Sequence, residues 1–458
     1  MFFDKNNYSD ETAELGGEKV SFRAYRNIVF VDNPADDTFH RMNIYAPLSF
    51  FNGKNVNGYN LHTAPIFMPN AVGGYRPGKI EEPSTSKTVF RALLHGCVVV
   101  SPAIRGRTLK DKNGKNYGCA PACIVDYKAA ARFLHYFASD IPGDAEKIIT
   151  NGTSAGGALS CLIGSTGNHP DYDKYLKEIG AADASDSVFA ASCYCPITNL
   201  DNADMAYEWQ FDGVYDCHRH KMILSEGGRP YFTPVDDVMN DERIQISKEL
   251  SARFPDYINS LKLTDGGKAL TLDKDGDGSF KDYIKSIVLA SAQMAIDAGE
   301  NLSSKSWLKI ENGRAADMDF TGYARDITRM KTAPAFDDIT MDSAENNLFG
   351  DSESDFKHFT KYSLEHGNSC GNMADSTIIK MLNPMYYTGD DKAQKARYFR
   401  IRHGERDRDT SLAISAILNL KLKEAGCNVD YFSPWDTPHS GDYDLPDLFA
   451  WIDSIVKK

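Results

Sequence analysis

No stretch of about 18 consecutive apolar residues occurs anywhere in the chain, so the sequence predicts no helix that spans a bilayer. Positive charge is in deficit. Lys and Arg number 51 against 64 Asp and Glu, a formal charge of −13. An acidic surface repels phosphate backbones, which argues against a nucleic-acid partner and equally against an anionic membrane surface. Cysteine is sparse: nine in 458 residues, an odd number at spacings that suggest no disulfide framework. After Met1, Phe2 and Phe3 the N-terminus turns polar, with no apolar run of signal-peptide length. A reducing cytoplasm is the plainer expectation, the alternative being a processed secreted chain. Repeats and low-complexity tracts are absent too, and 42% hydrophobic with 25% charged residues is an ordinary globular mixture.

Within that mixture the first 200 or so residues alternate short apolar strands with helical patterns. Ile28–Val31, Met42–Tyr45 and Pro65–Met68 read as strands, and Cys97–Ser101 as a strand buried on both faces. A helix from Ile124 to Phe137 carries Tyr127, Ala131 and Leu134 on one side; Lys147–Thr150 and Val188–Cys193 follow as strands. Strand, helix and strand at this rhythm predict a doubly wound, mostly parallel α/β sheet. The rhythm lapses over residues 202–391, where a helix from Lys281 to about Ala298 presents Ile284, Ile287, Val288, Ser291, Met294 and Ala295 as one stripe. It returns with strands at Tyr398–Ile401 and Val429–Phe432 and helices at Ser411–Glu424 and Leu445–Val456. The expected organisation is a discontinuous catalytic domain, residues 1–201 and 392–458, interrupted by an inserted lid over residues 202–391.

The pattern G-x-S-x-G occurs twice, and context separates the copies. Gly152-Thr153-Ser154-Ala155-Gly156 follows a strand and opens a small-residue helix, the strand–turn–helix a nucleophile elbow requires. Gly367-Asn368-Ser369-Cys370-Gly371 follows no buried strand and lies inside the insertion, so Ser369 reads as a loop serine. A serine nucleophile needs a base, and the base an orienting acid; in α/β-hydrolases these follow in the order Ser, acid, His. His439 lies in the loop between the last strand and the last helix, where that fold places its base, with His403 as the other candidate. The acid belongs after the strand at 398–401, where Glu405, Asp407 and Asp409 compete and residue patterns leave Asp407 and Asp409 open. For the oxyanion, backbone N–H donors are expected from Ala155 and from the Gly73–Gly74 pair that follows an early strand.

Together with Pro69-Asn70-Ala71-Val72-Gly73-Gly74-Tyr75, the run Arg402–Ser411 and Pro438-His439-Ser440-Gly441-Asp442-Tyr443, the elbow resembles those of the bacterial, lactobacillus-type tannases, α/β-hydrolases that cleave tannin acyl esters. The likeness covers nearly the whole chain. It implies Asp407 as the triad acid, and Asp409, Lys331 and Glu345 as the residues that read the galloyl ring. It further implies a small phenolic ester as the partner and no required cofactor. Three adjacent phenolic hydroxyls suit two carboxylates and an ammonium, which a ring lacking them would leave unpaired. Fungal tannases and related feruloyl esterases tie nucleophile to base through flanking cysteines. Here Thr153 and Ser440 stand at those places. The alternatives are a feruloyl or general carboxylesterase with the same triad, and a catalytically silent protein on a hydrolase scaffold.

Weaker patterns remain. Asp273, Asp275 and Asp277 alternate ahead of Gly278 in the manner of a calcium loop, but position twelve is Ile284, so at most a weak structural calcium is expected. Cys193 and Cys195 would share one strand face, and Cys217-His218-x-His220 has ligand types at close spacing; neither supplies a matched set of four. Cys161 reads as packing behind the elbow.

Overall fold

The computed structural model describes residues 1–224, 230–367 and 372–457. Its centre is a nine-stranded sheet. In chain order the strands are β1 (Ser9–Leu15), β2 (Glu18–Val29), β3 (Arg41–Pro47), β4 (Pro65–Pro69), β5 (Val98–Pro102), β6 (Asp144–Thr153) and β7 (Ala190–Tyr194). Three two-stranded ribbons come next: β8 (Asp216–Leu224) with β9 (Pro230–Val238), β10 (Thr264–Asp265) with β11 (Lys268–Ala269), and β12 (Leu308–Glu311) with β13 (Arg314–Met318). The chain then returns to the main sheet with β14 (Tyr398–Arg402) and β15 (Asn428–Phe432). The spatial order is β1-β2-β3-β5-β4-β6-β7-β14-β15. From β5 onward every pairing is parallel, and β1, β2 and β3 form an antiparallel edge.

The apolar runs explain the centre. Val98, Val99 and Val100 of β5 are fully buried, as are Ala190 and Ala191 of β7, because helices cover both faces of a parallel sheet. The outermost strand of the antiparallel edge, β1, escapes sequence reading for the opposite reason. β1 reads Ser-Asp-Glu-Thr-Ala-Glu-Leu, acidic residues are depleted in strands, and Ala13 is its one buried position. Such charge on an outer strand discourages pairing with another chain.

Among the described residues, 202–391 adds no strand to the nine-stranded sheet. Most of its buried apolar side chains continue the sheet's core, while Cys217, Met239, Ile246, Leu250, Ala333, Ile339 and Tyr362 form a second, smaller cluster. Trp209 packs against Phe254, Phe280 and Phe320 at centroid distances of 5.1, 5.9 and 5.2 Å. Helix Ser279–Asp297 lies against helix Leu412–Glu424, where Asn419 Nδ2 donates to the Tyr283 hydroxyl at 3.0 Å. The expected stripe on that insertion helix is corrected at one place: Met294 is 55% exposed, because the buried line runs through Ile284, Val288, Ser291 and Ala295 and Met294 lies about 100° around the helix from Ala295. Ser369, the second G-x-S-x-G serine, lies outside the described residues. No helix among those described is long and apolar enough to cross a membrane.

Candidate active site

The carboxyl ends of β4, β6, β7, β14 and β15 lie side by side, which in an open α/β sheet is where ligands bind. β6 stops at Thr153 and a helix starts at Ala155. Ser154 turns between them at φ 62° and ψ −122°, a conformation that costs a non-glycine residue free energy and persists only where neighbours hold it. They do hold it. The Ser154 N–H donates to Tyr194 O at 2.9 Å, and its carbonyl accepts from Ala158 and Ile197 at 2.9 and 3.3 Å.

His439 reaches this serine from the loop after β15. Its Nε2 is 2.8 Å from Ser154 Oγ, and its Nδ1 is 2.7 Å from Asp407 Oδ2. The other Asp407 oxygen, Oδ1, accepts the Asp409 N–H at 2.9 Å. Burial opposes the charged form of both side chains, but their mutual attraction outweighs it. The carboxylate raises the pKa of His439, and the imidazole holds Asp407 below its ordinary value. Two close approaches make the arrangement possible. A methyl on Gly441 would stand 1.8 Å from Thr153 Oγ1, so only glycine lets the His439 loop lie on the elbow. Beyond it, Asp442 accepts from Asn151 Nδ2 and Thr88 Oγ1 at 3.0 and 2.7 Å, pinning that loop to β6 and to helix Lys87–His95.

The remaining candidates fall into distinct places. His403 sits behind the acid, its Nε2 3.8 Å from Asp407 Oδ2, and burial depresses its pKa; it faces the carboxylate and not the serine. Glu405 is buried with Oε1 unpartnered, while Oε2 accepts the Asp436 N–H at 3.3 Å. Burial pushes its pKa up to about 7. Between the ordinary glutamate range and pH 7, therefore, the unfolded chain releases this proton and the folded chain keeps it, so stability falls as pH rises. Glu405→Gln is expected to flatten that part of the stability profile, as read from urea midpoints at pH 5 and pH 7.5. An unchanged slope would mean that Glu405 does not cause it.

The loop after β4 is fastened beside the elbow. Asn70 Nδ2 donates to the carbonyls of Asn151 and Gly156 at 3.1 and 3.0 Å. The packing there is tight, since a methyl on Gly156 would stand 2.6 Å from Asn70 Oδ1 and 2.8 Å from Val72 O. Gly73 and Gly74 lie just beyond, exposed, with open space where side chains would project. Ala155 is the first residue of its helix, so its N–H has no partner within it. Arg107 clamps the glycine loop to helix Ala344–Leu348: its Nε donates to Gly74 O at 2.8 Å and its Nη1 to Asn347 Oδ1 at 2.8 Å.

Lys331, Glu345 and Asp409 lie on three segments, each linked to the loops around Ser154. Asp409 is two residues past Asp407, and Glu345 shares the short helix Ala344–Leu348 with Asn347. Lys331 and the Asp409 loop are joined through Tyr207, whose hydroxyl donates to Arg408 O at 2.9 Å and accepts the Lys331 N–H at 3.1 Å. The Lys331 ammonium lies 3.8 Å over the Phe336 ring. Among the described residues, none of the three charged groups has a hydrogen-bonded or ion-paired side-chain partner, although Glu345 is only 9% exposed. Its carboxylate oxygens are not among the buried unpartnered atoms, so they stay open to water and to an arriving donor.

One residue at the site carries no signal in the sequence. Cys193 and Cys195 do not share a face: β7 ends at Tyr194, and Cys195 turns to φ 37°. Its Sγ then lies 3.9 Å from His439 Nε2 and 3.4 Å from Ser440 O. No sequence pattern marks a residue whose placement depends on a turn at a strand end. Cys195, Asp407 and His439 are the one grouping of metal-ligand types whose atoms converge within 4.8 Å among the described residues. Asp273, Asp275 and Asp277 therefore do not converge. Asp273 Oδ1 accepts two N–H groups of its own loop, and Asp277 pairs with Lys281 at 2.6 Å. Cys217 packs under Lys331 O, His218 pairs with Asp236, and the His220 side chain lies outside those described.

Similarity to known proteins is extensive. The BD-FAE family pattern matches residues 73–213. A crystal structure of tannase from Lactobacillus plantarum shares 43% identity over 99% of both chains, with a TM-score of 0.96. The Fusobacterium nucleatum tannase shares 47% over 99% of both chains, with a TM-score of 0.94. A tannin acyl hydrolase solved in complex with ethyl gallate shares 43% identity, covering 99% of this chain and 98% of its own, with a TM-score of 0.94. No curated protein matches the chain.

Proposed function

The chain belongs to the tannase family, and from that premise we propose that it is a serine esterase cleaving galloyl esters. The observation that carries the chemistry is the unbroken relay from Asp407 through His439 to Ser154 at the head of a helix. Ser154 Oγ attacks the ester carbonyl while its proton passes to His439 Nε2, and Asp407 steadies the imidazolium that forms. The carbonyl oxygen, now an oxyanion, takes hydrogen bonds from the N–H groups of Ala155 and of the Gly73–Gly74 turn. His439 returns the proton to the departing alcohol or phenol. Water, deprotonated by the same nitrogen, then splits the galloyl-serine ester and releases gallic acid. The reading calls on no cofactor.

Lys331, Glu345 and Asp409 serve as the reader of the ring. Their unpaired charges, carried on segments tied to the triad loops, support this: a trihydroxyphenyl ring donates to both carboxylates and accepts from the ammonium. Replacing Lys331 by Ala, Glu345 by Gln or Asp409 by Asn is expected to lower kcat/KM for methyl gallate by about 10- to 100-fold each, the worth of a lost charge-assisted hydrogen bond. Hydrolysis of p-nitrophenyl butyrate, which has no hydroxylated acyl ring, should change by less than about three-fold. Equal losses on both esters would remove the three residues from ring recognition and favour a general carboxylesterase.

A further inference from the structure

We propose that Tyr207 is a positioning residue for galloyl specificity: its one hydroxyl, bonded to the backbone at Lys331 and beside Asp409, holds Lys331 and Asp409 in a common frame. The proposal rests on the reading that Lys331 and Asp409 touch the ring. Tyr207 is fully buried on helix Leu200–Gln210. A phenolic hydroxyl has one proton and two acceptor positions, and all three are used here. The proton goes to Arg408 O at 2.9 Å, next to Asp409; the acceptor positions take Lys331 and Met330 N–H at 3.1 and 3.2 Å. The lid segment and the acid loop, far apart in sequence, therefore both bond this one oxygen, beside a direct bond from Arg408 Nη1 to Thr328 Oγ1 at 2.5 Å.

The same helix reinforces both sides. Glu208, next in the chain, pairs with the buried Arg329, whose Nε donates to Lys331 O at 2.6 Å. The Lys331 N–H is thus held directly by this helix and its carbonyl through Arg329, while its ammonium lies over the Phe336 ring. Asp204, one turn earlier, accepts the N–H groups of Phe336 and Asp337 at 2.7 and 3.2 Å, fixing the ring over which the ammonium lies. Gln210 Oε1 accepts from Leu412 N–H and Ser411 Oγ at 2.8 and 2.9 Å, anchoring the far side of the acid loop. Tyr207 alone in this set touches both segments. Ring readers act only at the right separation, and a misplacement of about 1 Å weakens a site as surely as losing a group.

Tyr207→Phe removes the hydroxyl and keeps the ring, which packs against Phe211 and Phe336. It is expected to raise KM for methyl gallate about ten-fold, with kcat and KM for p-nitrophenyl butyrate within about two-fold of the parent. In a Lys331→Ala background the same change should raise gallate KM by less, because one of the groups it positions is already gone. A purely structural role would not separate the two esters. Equal loss on both, or an unchanged gallate KM while Lys331→Ala raises it, overturns the proposal and leaves the ring reading standing. Should neither Lys331→Ala nor Asp409→Asn affect gallate KM, the ring reading itself fails first. If the phenylalanine variant does not fold, fluorotyrosine at position 207 retains the hydroxyl as a poorer acceptor. Gallate KM must then shift while the butyrate ester is unaffected, and no shift overturns the proposal.

Discussion

Ser154→Ala leaves a folded protein whose hydrolysis of methyl gallate has fallen by about 10⁴- to 10⁶-fold, the scale on which serine hydrolases lose activity with their nucleophile. The fold survives because the strained turn is held by backbone bonds to Tyr194, Ala158 and Ile197, none of which involves the hydroxyl. What disappears is the one atom placed 2.8 Å from the His439 imidazole. The check is kcat for methyl gallate beside covalent labelling by a fluorophosphonate. The parent should label at one site and the variant not at all. Residual activity above about one per cent would mean that another group attacks the ester, and the elbow assignment would fall.

Asp407→Asn comes next in size, an expected loss of about 10⁴-fold in kcat with little change in KM. The direction follows from what each carboxylate oxygen does. Oδ1 accepts the Asp409 N–H at 2.9 Å and Oδ2 faces His439 Nδ1 at 2.7 Å. An asparagine in the same place keeps its carbonyl toward the backbone donor and turns its NH₂ to the histidine. Nδ1 must then accept, the imidazole proton moves to Nε2, and the nitrogen facing Ser154 can no longer take a proton. The charge that raised the His439 pKa is lost as well, so the imidazolium formed during attack is less stable. Asp409→Asn is the contrasting variant, since it spares the relay and should spare p-nitrophenyl butyrate. If Asp409→Asn abolished both activities while Asp407→Asn did not, the two aspartates would have exchanged roles.

Much of this site is legible in the order of residues along the chain. The elbow is legible because strand, tight turn and small-residue helix are consecutive, so Gly152 to Gly157 carry their own context. His439 is legible for a similar reason, standing in a loop after the last strand of a recognisable rhythm. The acid is not, since Asp407 and Asp409 occupy the same loop, and only family resemblance separates them in the sequence. In the structure the choice rests on which carboxylate reaches Nδ1 of a histidine 32 positions away. The N-terminal β1 goes unseen in the sequence because an exposed edge strand lacks an apolar run, and the first part of β2 because its buried Val20, Phe22 and Ala24 alternate with polar residues instead of forming one.

The sequence alone determined the kinds of group available and their order along the chain: a serine at a strand end, later carboxylates, a last-loop histidine, and apolar runs suited to a parallel sheet. These are short-range properties, written within a few residues of one another. Tertiary structure alone decided that Cys195 turns its thiol toward the base, that Gly441 lets the histidine loop rest on Thr153, and that a buried tyrosine joins Lys331 to the loop of Asp409. Each of those depends on segments roughly one hundred to nearly three hundred residues apart being packed into direct contact. Packing distances of that kind arise from the whole core, and no local pattern encodes them.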